Sequence, residues 1–86
     1  MKSMLMKSVA VKIDQIYVPA RLRGTLDPEK VQRLAEEILT DGQQTPIQVR
    51  QDVNRYVLVT GLHRLEAMRA LGETAIDSLI VRARVR

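Results

Sequence analysis

Apolar and polar residues change period several times along this chain, and each change marks an element. Val9, Val11 and Ile13 alternate with Ala10 and Lys12, which predicts a first strand with its apolar side turned to the core. Residues 1–7 ahead of it are expected to be loosely held. The stretch DQIYVPARLRGT fits no simple period. Pro19 and Gly24 interrupt it and Arg21 and Arg23 come close together, so it reads as an irregular crossover with a short extended piece at residues 16–18. Helical spacing follows. Val31, Leu34, Ala35, Ile38 and Leu39 form one apolar stripe at i, i+3, i+4, i+7 and i+8, predicting a helix over residues 28 to about 40. Asp27 is its expected N-cap, Pro28 its first residue, Leu26 and Val31 a hydrophobic staple, and Gly42 its stop.

Beyond a polar loop and Pro46, IQVR and YVLVT alternate as strands around the turn QDVNR, predicting a hairpin. Pro46 disfavours helix at Thr45, which argues against a helix-turn-helix here. A second helix is expected from about Leu62, burying Leu65, Met68 and Leu71, ending at Gly72 and leaving Arg64 and Arg69 toward other faces. A closing strand is expected from Leu79. It would carry Leu79, Val81, Ala83 and Val85 on one face and Ile80, Arg82, Arg84 and Arg86 on the other.

Composition narrows the function classes. The 86 residues make one expected domain, 45% apolar but without Phe or Trp, so Leu, Ile, Val, Met and Ala must build the core. No cysteine is present, which removes thiol catalysis, disulfides and thiolate metal sites. One histidine without cysteine argues against a transition-metal site. No stretch approaches the ~20 apolar residues of a membrane span, and the expected setting is the cytoplasm with no membrane partner. The net charge of +4 is unevenly spread: residues 27–41 hold five carboxylates against Lys30 and Arg33, a balance of −3, leaving +7 elsewhere. That separation fits an anionic partner, and it also fits ordinary solvated faces.

The most specific chemistry lies at Gly61-Leu62-His63-Arg64. A glycine at a strand-to-helix junction lets backbone N–H groups approach an anion. The helix dipole favours negative charge there, and an arginine fork can clamp phosphate oxygens. Basic residues in a first helical turn are unfavourable unless an anion joins them. The competing reading makes His63 a capping or core histidine and Arg64 a solvated residue. Asp27 and Glu29 are accounted for as N-cap and first-turn acid. Arg82, Arg84 and Arg86 fit either a solvent-facing edge that discourages aggregation or a nucleic-acid track, without aromatic interleaving for base stacking.

Laid out in this order, the chain resembles the superfamily that unites the N-terminal domain of the partitioning protein ParB with sulfiredoxin, over residues 9–82. LDPEKVQ and Gly61-Leu62-His63-Arg64 are similar to sulfiredoxin, the latter to its Gly-Cys-His-Arg phosphate motif with leucine in place of cysteine. TPIQVR, RYVLVTG and HRLEAMRALGE resemble ParB's strand pair and Gly-Glu-Arg-Arg box, with Leu62, His63 and Glu66 in place of that box's Glu, first Arg and later Arg. The resemblance implies an α+β fold, a small mixed β-sheet with two main helices packed on it. It also implies a nucleoside triphosphate, ATP or CTP with Mg²⁺, bound by Lys30, Arg33, Gly61, His63 and Arg64. Arg33 stands where sulfiredoxin has a small hydroxyl residue and either adds a phosphate contact or obstructs the pose. The implied role is DNA partitioning, transfer or regulation, with DNA reached directly or through another domain, and homodimer formation. The alternative is a small nucleotide-dependent enzyme of the same superfamily, an NTPase, free-serine kinase or nuclease. Sulfinic-acid reduction is excluded, because that chemistry passes through a cysteine thiosulfinate. A third reading, an interaction module that has lost nucleotide binding, rests on Leu62 and Arg33.

Overall fold

A computed structural model describes residues 7–42 and 45–82. Strand β1 (Val9–Lys12) leads through a single 3-10 turn (Ile13–Gln15) to a two-residue strand β2 (Ile16–Tyr17). A one-turn helix α1 (Ala20–Arg23) precedes the long helix α2 (Pro28–Asp41). The hairpin β3 (Ile47–Gln51) and β4 (Tyr56–Thr60) runs into helix α3 (Leu62–Ala70), and β5 (Ala75–Val81) closes the order. The sheet runs β1-β5-β3-β4-β2. It is mixed: β1–β5 and β3–β4 pair antiparallel, β3–β5 and β2–β4 parallel. The α+β class and the helix-bearing mixed sheet expected from the sequence are both present.

Alternation decides which face of this sheet is covered. Ile47 and Val49 on the central strand are buried while Gln48 and Arg50, which alternate with them, are half-buried on the other face. Helix α3 lies over the first face. Its Leu62, Leu65 and Met68 join Val11, Ile13, Ile16, Val18, Ile47, Val49, Leu58 and Ile76 in one core. A side chain such as Leu65, wholly out of water, contributes about 1.5–3 kcal/mol. Helix α2 packs chiefly on α3, one layer further out. For that reason its apolar stripe is only half-buried, and Leu39, expected in the stripe, is 73% exposed.

The helix limits follow their caps. The Asp27 carboxylate accepts from Glu29 N–H at 3.1 Å, Pro28 takes the first turn, and Gly42 ends α2 with its N–H on the Ile38 carbonyl. At the end of α3, Gly72 has a φ of +83°, and its N–H and that of Glu73 close on the Arg69 and Met68 carbonyls. That is the paired-bond ending which glycine makes easy. The proposed staple partners Leu26 and Val31 line one groove beside α3, with Leu26 still 43% exposed.

Three expectations need correction. The first strand stops at Lys12, and Ile13 reaches the core from the 3-10 turn instead. Leu71, expected to be buried, is half-exposed at the end of α3. The closing strand starts at Ala75, not Leu79, because Ile76 and Ser78 alternate into the core. The Ser78 hydroxyl satisfies itself there on the Ile76 carbonyl at 3.0 Å. The expectations for residues 1–6, for Gln43 and Gln44, and for Ala83, Arg84, Val85 and Arg86 lie outside the described residues.

Candidate anion-binding site at the start of α3

Helix α3 begins where β4 ends, and a single residue makes the turn. Gly61 has a φ of +111°, which L side chains rarely adopt. A Cβ built there would stand 2.5 Å from Cγ2 and 2.8 Å from Cβ of Ile47. Glycine is therefore required both by backbone angle and by space. It also contributes no side chain to cap α3, and the first N–H of the helix to find its i−4 carbonyl is that of Leu65, on Gly61 at 2.9 Å. The earlier N–H groups of the turn point outward at the positive end of the helix dipole. Helix α2 differs, because Asp27 already places a carboxylate on its first turn.

Leu62 is buried and anchors this turn, while His63 and Arg64 on either side of the anchor are half-buried. His63 Nε2 accepts from the backbone N–H of Asp27 at 3.0 Å. A nitrogen that accepts carries no proton, so the neutral ring holds its proton on Nδ1, which remains a donor. The capping role foreseen for His63 is realised at Nε2. This bond also ties the starts of α2 and α3 together.

Arg64 lies in a small cavity of about 80 Å³ with Glu37, Ile38, Asp41, Gly42 and Thr45. The structure thus directs His63 toward the beginning of α2 and Arg64 toward its second half. The two reference points on α2, Asp27 and Glu37, are about 15 Å apart along the axis at 1.5 Å per residue. No ion pair involves Arg64 among the described residues. Lys30 is exposed on the first turn of α2, one turn from the Asp27–His63 contact. Arg33 lies further along, in an open groove with Glu36, Glu37, Thr40 and Asp41. His63 and Lys30 therefore lie by the start of α2 and Gly61 at the turn into α3, whereas Arg64 and Arg33 each line a cavity with Glu37 and Asp41.

Two features were not legible as site features in the sequence. The Asp27 N–H partner of His63 is separated from it by 36 positions, and only the fold brings them together. Glu37 and Asp41 read as part of a solvated helix face, yet they border Arg64. The helical spacing of Lys30, Glu37 and Asp41 on one row of α2 was the available signal.

Comparison with known proteins identifies the family and the fold. The family model for the ParB N-terminal domain matches residues 2–86. A probable chromosome-partitioning protein ParB from Campylobacter jejuni is 36% identical over 75 residues, covering 86% of this chain. The chain spans only 27% of that relative. Sulfiredoxin from Arabidopsis thaliana superposes with a TM-score of 0.80 at 30% identity, over 90% of this chain and 86% of that one. A C-terminally truncated ParB from Caulobacter crescentus, complexed with CTP-gamma-S, gives a TM-score of 0.76 at 23% identity, over 91% and 46% of the two chains. A free serine kinase in complex with AMP gives 0.77 at 20%, over 88% and 31%. The last two likenesses concern the fold alone.

Proposed function

This chain belongs to the ParB N-terminal domain family, and from that premise we propose that it binds a nucleoside triphosphate at the start of α3. The observation that carries this reading is a helix opening on Gly61, without a side-chain cap, with His63 and Arg64 in its first turn. Such an arrangement offers backbone N–H groups and a helix dipole with no carboxylate cap, and an arginine in the same turn that can swing onto a bound anion from beside Glu37 and Asp41. Gly61 lets the turn sit hard against Ile47, which fixes where this helix start stands. In this reading His63 donates through Nδ1, Arg64 forks onto phosphate oxygens, and Lys30 reaches in from α2. Arg33 contributes charge at the edge of the site. Among the described residues no group of three or more acidic or histidine side chains is arranged to hold a metal. Mg²⁺ would accordingly come with the triphosphate.

The biological role in this reading is DNA partitioning, transfer or regulation, in the cytoplasm, with DNA and a second copy as partners. The Campylobacter relative, a probable chromosome-partitioning protein, supports this role, and the Caulobacter ParB of like fold, complexed with a CTP analogue, supports the nucleotide. No helix among the described residues is long and apolar enough to cross a membrane. The nucleotide-dependent enzyme reading draws on the Glu37 and Asp41 carboxylates beside Arg64, which would have to supply a general base.

Thermal melts with ATP, CTP, GTP and ADP, with and without Mg²⁺, test the proposal. A nucleotide at ~100 times its dissociation constant should stabilise the fold by ~2.7 kcal/mol. Absence of any shift at millimolar concentration with all of these nucleotides would reject it. Phosphate release during the same incubation separates the enzyme reading from binding alone.

A further inference from the structure

One row of side chains along α2 changes sign partway. Lys30, Arg33, Glu37 and Asp41 follow one another at i+3 and i+4 spacing, so they share a face of the helix that is basic in its first half and acidic in its second. Arg33 and Glu37 stand one turn apart and line the same open groove. Glu37 also lines the cavity of about 80 Å³ to which Arg64 contributes from α3. Asp41 borders both spaces as well. Glu36 differs, because it lines the Arg33 groove and not the Arg64 cavity. Glu37 is exposed and Arg64 is half-buried.

Both arginines assigned to the nucleotide site therefore border a carboxylate of α2 before any phosphate arrives. A guanidinium fork fits carboxylate and phosphate oxygens alike, so an anion at the start of α3 must draw Arg64 away from Glu37. Two opposite roles are open to such a carboxylate. One that was hydrogen-bonded to the arginine would hold it in position for the ligand, and its loss would weaken binding. Among the described residues no ion pair joins Glu37 to either arginine, so Glu37 attracts them without fixing a geometry. We infer, with nucleotide binding at the start of α3 as the premise, that Glu37 is a resident competitor for Arg64 and Arg33 and lowers the affinity of the site for phosphate. An exposed carboxylate–guanidinium pair is worth about 1.4- to 5-fold in an equilibrium constant. Glu37 borders two guanidinium groups. E37Q, which keeps the size of the side chain and removes its charge, should bind CTP or ATP about 2- to 25-fold more tightly at low salt. The gain should shrink as salt screens the attraction in the free protein.

Isothermal titration of the whole chain with CTP and with ATP, at one fixed Mg²⁺ concentration, compares wild type, E37Q and E36Q. E36Q removes the same charge one residue away, from a side chain outside the Arg64 cavity, and should gain less than E37Q. A second readout uses no nucleotide. Phenylglyoxal modification, mapped by peptide mass, should tag Arg64 faster in E37Q than in wild type, by up to about fivefold, and at an unchanged rate in E36Q. An affinity of E37Q equal to or weaker than wild type, or equal gains in E36Q and E37Q, would overturn the inference and leave nucleotide binding in place. Unchanged tagging of Arg64 in E37Q would overturn it even where the affinity rose. If none of the three chains binds either nucleotide, the proposed function falls and this role of Glu37 falls with it.

Discussion

Replacing Gly61 by alanine separates two costs that the structure imposes at one position. The first is the backbone angle. Gly72 provides its measure, because it has a φ of +83° with nothing within 4 Å of a built Cβ. Alanine in a left-handed conformation costs about 1–2 kcal/mol. Part of that returns through the reduced freedom of the unfolded chain, about 0.4–1 kcal/mol, so Gly72→Ala should lose about 1 kcal/mol. Gly61→Ala carries a comparable angular cost and adds contacts of 2.5 and 2.8 Å to Ile47, a residue 1% exposed. Ile47 cannot yield by turning its side chain, since its own Cβ and Cα are among the atoms met. Either β3 or the start of α3 must move, and overpacking of this kind adds about 1–3 kcal/mol. The expected total for Gly61→Ala is about 2–4 kcal/mol, against about 1 for Gly72→Ala. Urea unfolding of the two variants and wild type, compared at equal m-values, reads the difference. Equal losses at the two glycines would refute the close approach of Gly61 to the central strand.

Arg64→Ala should weaken triphosphate binding by roughly 1.5–3 kcal/mol, about 10- to 150-fold, while the unliganded melt changes by less than about 1 kcal/mol. Isothermal titration decides this, and an affinity within twofold of wild type would reject the assigned role. Leu62→Cys removes a side chain that is 7% exposed and belongs to the core, so it should cost about 1.5–3 kcal/mol in a chemical melt. The new thiol would be buried and inert, and neither it nor wild type should reduce a peroxiredoxin sulfinic acid. Reduction by the unaltered chain would overturn the argument from the missing cysteine.

The parts of the fold that were legible in the sequence are those set by local patterns. Asp27 and Pro28 marked the start of α2, Gly72 the end of α3, and alternation gave the β3–β4 hairpin. Parts fixed by distant neighbours were not legible. Nothing local shows that α2 sits on α3 and not on the sheet, so Leu39 could not be distinguished from the stripe it continues. The start of β5 was hidden because Asp77 and Ser78 look like a loop. Only the register with β1 and β3 shows that Ser78 faces the core and bonds its own strand. At the candidate site, Gly61, His63 and Arg64 were visible as a motif. The direction of each side chain was not, because it depends on where α2 crosses α3.

That crossing gives Arg64 a choice of anions. The second half of α2 carries Glu36, Glu37 and Asp41, with no basic residue in its last turn. Carboxylates at the negative end of a helix dipole are unfavourable by a few tenths of a kcal/mol each, and a nearby cation offsets this. Arg64 is placed to do so from the cavity it shares with Glu37 and Asp41, while its own backbone stands at the positive end of α3. Under the proposed function a bound triphosphate draws the guanidinium toward the start of α3, and its attraction to those carboxylates weakens. The measured binding energy of the phosphates is then a difference between two anionic environments. The reading of Arg64→Ala follows from this. The variant loses the phosphate clamp in the complex and a smaller, solvent-screened attraction in the free protein. Its effect on affinity should therefore exceed its effect on stability, whereas an arginine that served only the carboxylates would give the opposite order.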